Sequence, residues 1–494
     1  MKPISRVGDI PEGITNRIKV GSKEFLASRT GNSVSICSHT CPHGGADLTE
    51  GLILDHELIC PLHHARFRLH DGKVTSPPAL DNITTFETEV KSDAVFVGRP
   101  NPSFLPQGPW EAQPSYIIIG AGAAGSACAV TLRSVGFKGK VILISEESEF
   151  PYDRTRLSKQ ALFEDGAVST LRDEGFYQVL GIDIIAGIKV ESIRYDQRRV
   201  ILNNGTGHNY DKLCIASGAR ARCLRFPGSE LDNVFTLRTA ADATKIRSAI
   251  LGSNHLTLVG AGFLNLELAA AAVGIGKSVT VVAPERIPLA QVFGQRMGEK
   301  ILVQYQEAGI EWRLQNTIDG IVAETGASRV TLSDKSSFST NAVVISAGIE
   351  PNTDFLSGVS WASEHGVKVD DDLRTPDPHI WAAGDVASLP MPQNKGRFRS
   401  EHWVTAMRQG RDVAISMWGH ERKTKEVPFF WAELMAMHIS AVGCPSSEEP
   451  EIVLGNIDEG EFLALWKSCD CTTGAFSIGY HRELIEIENE LRKR

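Results

Sequence analysis

Residues 1–98 alternate short apolar runs with Gly, Asn and Asp turns, as in EFLASR, SVSIC, ELICP and AVFVG. Successive side chains of a strand point to opposite faces, so this pattern predicts short strands in an all-β unit. RPNPSFLPQGPWEAQPS follows, with prolines at 100, 102, 106, 109 and 114. Proline lacks the amide that helices and ladders need, so residues 99–114 read as a semi-rigid linker. Then the period changes. SYIIIGAGAAGSACAVTLRSVG reads as strand, glycine turn and helix, and KVILISEE as a second strand. NHLTLVGAGFLNLELAAAAVGIG and SVTVVAPER repeat that plan, with Gly260 falling 140 residues after Gly120. Two such repeats predict two α/β Rossmann-like units, one over 115–235 and 350–425 and the other over 236–349. From 426 to 494, VPFFWAEL, EFLALWK and GAFSIGYH read as strands before a charged helix, a C-terminal α+β domain. The expected fold class is therefore multidomain: all-β, then two dinucleotide-binding α/β domains, then α+β.

Composition narrows the function classes. The chain has 494 residues, too many for one core, with 42% hydrophobic and 22% charged residues. A net charge of −9 argues against a nucleic-acid partner. No apolar run has the length of a membrane span. MKPISRVGDI shows no signal segment or presequence, and nine cysteines form no obvious disulfide framework. A cytoplasmic location is the expectation. Nothing here sets the oligomeric state, and a homodimer stays open.

Cysteine and histidine concentrate in one place. Cys41, His43, Cys60 and His63 form C-x-H-x16-C-x-x-H. Two loops that each offer a thiolate and an imidazole suit a metal site. Zinc would accept this set, although its motifs are more often C-x2-C with H-x3-5-H. The mixed order fits a Rieske [2Fe–2S] cluster better, with two cysteines on one iron and two histidines on the other. CPHGGADL and CPLHHARF also resemble the two cluster loops of Rieske ferredoxins, including the glycine turn and the proline after cysteine. Four neighbours are set aside. Cys37 and His39 lie too far from Cys60 and read as strand-end residues packed beside the site, and His56 reads as a turn. His64 stands where that family usually has glycine and reads as a solvated neighbour.

Gly120, Gly122 and Gly125 form G-x-G-x-x-G directly after an apolar strand. The first glycine permits the tight turn, the second lets a pyrophosphate approach, and the third lets helix pack on strand. Glu146, twenty-one residues beyond Gly125, is placed to take ribose hydroxyls. PYDRTRLSK, YDKLCIASGARAR, IWAAGDVAS, SEHWVTAMRQG and VPFFW resemble segments of apoptosis-inducing-factor-like flavoproteins and oxygenase-coupled ferredoxin reductases. The whole chain is similar to members of that group with an N-terminal Rieske domain. The resemblance implies FAD, held by Gly120, Gly122, Gly125, Glu146, Arg154, Lys159, Val190, Ala216, Gly218, Arg222, Asp385, Glu401 and His402, with Trp431 near flavin or nicotinamide. Asp385 would meet the flavin's ribityl chain.

The second turn, GAGFLNLE, keeps Gly260 and Gly262 but has Asn265 at the third glycine. Asparagine there should loosen the packing slightly, and its amide could reach a phosphate. The following strand ends Ala283-Pro284-Glu285-Arg286. Glu285 is the expected ribose ligand, which favours NADH over NADPH, whereas Arg286 would favour a 2′-phosphate. Gly348 and Glu350 resemble the loop near the nicotinamide. The resemblance also implies that Lys159 pairs with Glu267 beside the flavin, and these two are the expected catalytic residues. No C-x-x-C or C-x4-C pair accompanies the flavin motifs, and Cys469 and Cys471 form a C-x-C read as free thiols. Electrons therefore need an exit other than a dithiol. Reduced nicotinamide gives two electrons, a Rieske cluster takes one at a time, and a flavin can do both. The reading is an NAD(P)H-dependent FAD reductase that feeds its own cluster and then an unknown one-electron protein acceptor. Alternatives are an NADH oxidase, a slowly turning redox-signalling flavoprotein, and a cluster that merely staples a β domain.

Overall fold

The computed structural model describes residues 3–31, 33–102, 105–159, 162–163, 168–391, 396–421, 426–444, 449–468 and 471–493. The N-terminal region is all β. Three antiparallel sheets form it: Pro3–Arg6 with Ala94–Pro100 and Phe86–Lys91; Asn16–Val20 with Lys23–Thr30 and Ser33–Cys37; and a short four-stranded sheet of Leu52–Leu54, Glu57–Ile59, Arg66–Arg68 and Val74–Ser76. Leu26, Leu48, Leu58 and Phe67 pack around Cys41 and Cys60, so both cysteine loops are anchored in this small core. Residues 105–114 carry no helix or strand. They are nonetheless tied down: Trp110 lies beneath the Arg133 guanidinium at 4.2 Å, and the Glu111 amide donates to the Lys138 carbonyl at 2.8 Å.

Both α/β units form, and they are alike beyond the repeat visible in sequence. The first has a parallel sheet ordered Ile182–Ile185, Lys140–Ile144, Ser115–Ile119, Lys212–Ile215, Ile380–Ala382. In the second the order is Val234–Thr236, Ala342–Ile345, His255–Val259, Ser278–Ala283, Glu311–Leu314. Central strands are buried along their whole length, which is why they read as continuous apolar runs instead of alternating ones. Each unit also carries a three-stranded antiparallel sheet, 190–209 in one and 318–340 in the other. The chain enters the second unit and returns through Ala219–Ala221 and Ile349–Pro351, which pair antiparallel.

The C-terminal region is a five-stranded antiparallel sheet ordered Phe429–Leu434, Met437–Gly443, Cys471–Ile478, Glu461–Ser468, Glu451–Asn456, followed by helix His481–Arg492. Phe430, Ile439 and Phe476 share a core with Phe293 and Met297 of the second α/β unit. Among the described residues, no helix is long and apolar enough to cross a membrane.

Candidate functional site

The two cysteine loops are built to one plan. The Cys41 amide donates to the Ala46 carbonyl at 2.8 Å, and the Cys60 amide to the Ala65 carbonyl at 2.9 Å. The fourth residue after each cysteine is left-handed, Gly45 at φ 74° and His64 at φ 56°, and its amide returns to the cysteine carbonyl. The loops bring His43 Nδ1 and His63 Nδ1 to 3.1 Å from each other. The Cys41 and Cys60 thiols are in hydrogen-bond contact. That contact, with the amides of His43 and Gly44, takes Cys41 down to about 7 against the opposing effect of burial, while Cys60 is pushed up. Burial lowers both histidines, His63 to about 2, with His43 and His438 adding to the effect. Burial thus favours the neutral form of both imidazoles, the form in which a histidine binds metal. Among the described residues, no three His, Cys, Asp or Glu side chains gather around a single ion. The donors instead form a nitrogen pair and a sulfur pair, which fits a two-iron cluster better than one zinc.

The neighbours sort themselves by backbone. Cys37 is buried at a strand end, its thiol raised to about 12 by burial. His56 follows Asp55 in a two-residue hairpin turn, both at positive φ. His64 corrects the sequence reading: it is wholly buried, not solvated. Its Nδ1 lies 2.5 Å from Glu488 Oε2, on the C-terminal helix. A residue 424 positions away supplies the partner, so no local pattern could have exposed it.

Three of the flavin-type motifs follow the C-terminal ends of strands Ser115–Ile119, Lys212–Ile215 and Ile380–Ala382 of the first parallel sheet. A Cβ on Gly120 would approach the Ala216 carbonyl closer than 3.0 Å, and one on Gly125 the Gly120 carbonyl equally closely. Real Cβ atoms do not make such approaches, so both positions require glycine. Gly122 caps helix Ala123–Ser134, and Gly218 has φ 64°. Arg154 packs over the Tyr152 ring, pairs with Glu147 and donates to the Arg238 carbonyl at 2.9 Å. Glu146 is exposed and 3.7 Å from Lys189. Glu147 is the better buried of the two, and two adjacent acids gave no sequence signal to separate them.

Asp385 accepts from Arg238 at 2.5 Å, and the Gly384 amide is held by Gln409. Arg399 pairs with Glu401 at 2.8 Å, yet burial raises the Glu401 carboxyl above its usual range. His402 stacks on Phe430 with centroids 4.3 Å apart, and burial takes it down to about 4. Val190 is buried at the start of its strand. Arg222 and Glu350 are about half exposed and 3.8 Å apart, where the connecting strands leave the second unit beside Gly348.

Lys159 and Glu267 meet across the two units. Lys159 Nζ lies 2.5 Å from Glu267 Oε1, Ser158 Oγ donates to Oε2 at 2.6 Å, and both charged groups are largely buried. In the second turn, Gly260 keeps its close approach, here to the Ser346 carbonyl. Gly262 caps helix Phe263–Gly274. Asn265 departs from expectation. Its side chain is fully buried, and its amide nitrogen donates to the carbonyls of Val259 at 2.8 Å and Gly260 at 2.9 Å. That nitrogen serves the chain's own turn and is not free for a phosphate. Glu285 and Arg286 are both exposed beyond Ala283.

Trp431 was expected by the flavin or nicotinamide. Besides Phe429 on its own strand, its ring meets the cysteine-histidine loops, His63 at 4.4 Å and His43 at 6.2 Å between centroids. His438, which sequence reasoning missed, stands 5.6 Å from His63 and bonds the Leu62 backbone. On the same strand as Trp431, the Glu433 amide faces Glu267 at 3.5 Å. Lys159 and Asp153 lie within electrostatic reach of His63 and His43 respectively. The imidazoles are thus in electrostatic reach of the PYDRTRLSK segment. Cys128 and Cys214 form a buried thiol contact within the α/β core. Cys471 is exposed, and Cys469 lies outside the described residues.

Comparison with known proteins agrees with this construction. The sequence profile of a pyridine nucleotide-disulphide oxidoreductase matches residues 114–410, and that of a Rieske [2Fe-2S] domain matches residues 1–87. Apoptosis-inducing factor 3 of Homo sapiens is 28% identical over 514 residues, spanning 99% of this chain and 85% of that protein. Rhodocoxin reductase of Rhodococcus erythropolis is 35% identical over 70% of this chain and 82% of its own. The crystal structure of a ferredoxin reductase from Rhodopseudomonas palustris superposes with a TM-score of 0.71 at 30% identity, covering 76% of this chain and 93% of that one.

Proposed function

The chain belongs to the pyridine nucleotide-disulphide oxidoreductase family and is a ferredoxin-reductase-like oxidoreductase with a Rieske domain; from that premise we propose that it takes electrons from NADH and passes them, through FAD and its own cluster, to an external one-electron metalloprotein acceptor such as an oxygenase. When bound, FAD accepts electrons in pairs and releases them singly, and the cluster accepts one at a time. The observation that carries the reading is the junction of the two sites. The imidazole edge of the cluster loops rests on Trp431, and the same strand, through the Glu433 amide, faces Glu267 of the Lys159–Glu267 pair.

In this reading Cys41, His43, Cys60 and His63 hold the cluster. Gly120, Gly122, Gly125, Arg154, Val190, Ala216, Gly218, Arg222, Asp385, Glu401 and His402 hold FAD. Glu147 is added to that set, orienting Arg154, and Glu146 remains on the rim. Lys159, fixed by Glu267, presents positive charge to the flavin's reactive edge. Gly260, Gly262, Gly348, Glu350 and Glu285 receive the nicotinamide cofactor, and the exposed Glu285 carboxylate accepts from a free 2′-hydroxyl and repels a 2′-phosphate.

An anaerobic NADH titration of the full chain, followed by visible absorbance and electron paramagnetic resonance, tests this. Bleaching of the flavin together with a reduced Rieske signal is expected; a cluster that stays oxidised overturns the electron path. Cys60→Ser gives a second arm. It should keep flavin bleaching and abolish reduction of an obligate one-electron protein acceptor. A second reading, slow redox signalling, draws on a relative that spans 99% of this chain, apoptosis-inducing factor 3 of Homo sapiens. It predicts little steady-state turnover with any protein acceptor.

A further inference from the structure

Beside the second cluster loop lies a buried charged network that the functional reading does not use. Glu488, on helix His481–Arg492, is completely inaccessible. One carboxylate oxygen meets His64 Nδ1 at 2.5 Å, and the other accepts from Arg408 Nη1 at 2.7 Å. Arg492 approaches the second oxygen at 3.4 Å and also pairs with Glu426. Burial opposes the charge on Glu488, but Arg408 and Arg492, with the hydrogen bond to His64, outweigh it and hold the carboxyl well below its ordinary range, while burial keeps His64 itself low. Phe429 lies against the His64 ring at 4.4 Å.

Three regions meet at this carboxylate. His64 follows the cluster ligand His63, Arg408 belongs to helix Trp403–Trp418, whose first turn adjoins Glu401 and His402, and Glu488 comes from the C-terminal helix. Further contacts point the same way: Arg482 donates to the Gly51 carbonyl at 3.2 Å, and Arg172 pairs with Asp81 at 2.7 Å. Buried charges contribute little net stability, but they are satisfied in only one geometry. We propose that Glu488 is a positioning residue that clamps the second cluster loop, through His64, onto the flavin-bearing part of the chain, so that the Rieske domain is a fixed carrier and not a swinging one. The inference rests on the electron path proposed above. A linker alone would leave the separation of the two redox groups variable, and electron transfer falls steeply with separation.

His64→Gly in the full-length protein is the direct test. Glycine suits the left-handed backbone there and leaves the Arg408–Glu488 pair intact. Flavin bleaching by NADH should proceed at the wild-type rate, and the reduced cluster should keep its paramagnetic spectrum. Hydrogen–deuterium exchange across residues 60–66 should quicken, and cluster reduction should slow by about 10–100-fold, the scale on which misplacement of reacting groups acts. Glu488→Gln, distant in sequence from both ligand loops, should show the same split more mildly, and it carries the test where the glycine disturbs cluster loading. Cluster reduction at the wild-type rate in both variants overturns the positioning role, whether or not exchange rises. A wild-type cluster that NADH leaves oxidised overturns the electron path instead.

Discussion

The two glycine turns share a backbone plan and differ in how much room they leave. At Gly120 and Gly260 the demand is the same, because a neighbouring strand's carbonyl occupies the space a Cβ would need. They part company at the third position. In the first turn, Gly125 lets the helix press directly on the Gly120 carbonyl. The other face of that helix meets helix Trp403–Trp418 equally closely, backbone to backbone, at Ala124 and Gly410. In the second turn the Asn265 side chain fills the third position, and its amide donates to the carbonyls of Val259 and Gly260. The outer face of its helix packs through side chains, Phe263 on Phe430. A turn with no slack suits a group that stays bound, and a side-chain-spaced turn suits one that comes and goes.

Exchanging the residues breaks this comparison most directly. Gly125→Asn should cost about 3 kcal/mol or more, the scale of severe overpacking, and should strip FAD from the protein. Flavin content after purification and a thermal melt would show it; a variant that retains FAD and wild-type stability would mean that the tight approach is dispensable. Next in size is the bridge between the units. Lys159→Ala should slow flavin reduction on the order of 100-fold while FAD stays bound, because one preorganised charge is lost. Stopped-flow reduction at the wild-type rate would remove Lys159 from the catalytic assignment.

A smaller effect is expected at the open end of the second turn. Glu285→Ala should erode the kcat/KM preference for NADH over NADPH on the order of tenfold, or 1.4 kcal/mol. An unchanged ratio, or a wild type that prefers NADPH, would hand the pocket to Arg286. Smallest is the reverse exchange. Asn265→Gly removes two hydrogen bonds but relieves no clash, and should cost about 1 kcal/mol with full FAD content. Loss of FAD in that variant would show that the two turns are not independent.

The glycine turns and the C-x-H-x16-C-x-x-H spacing could be read directly, because each is a short-range demand. A left-handed φ or a two-donor loop is met within a few residues, so the residue types betray it. The apolar runs of the central strands were legible for the same reason. Lys159 and Glu267, by contrast, were linked only through resemblance, since they lie 108 residues apart. Trp431 is placed beside the flavin or nicotinamide only by resemblance, and its ring contacts with His63, His43 and Phe429 come from tertiary packing. FFW announces burial but not what it is buried against.

Sequence by itself determined the order of the regions, the strand–turn–helix units and the two Cys–His loops, all of which rest on local backbone geometry and hydrophobic period. Tertiary structure alone decided which acid holds Arg154, where the Asn265 amide points, and that His64 lies at the centre of a buried charge network instead of in solvent. An imidazole's environment is set by whatever packs against it. For His64 that is a carboxylate on the last helix, and only folding puts His64 and Glu488 into the same low-dielectric space, where each needs the other.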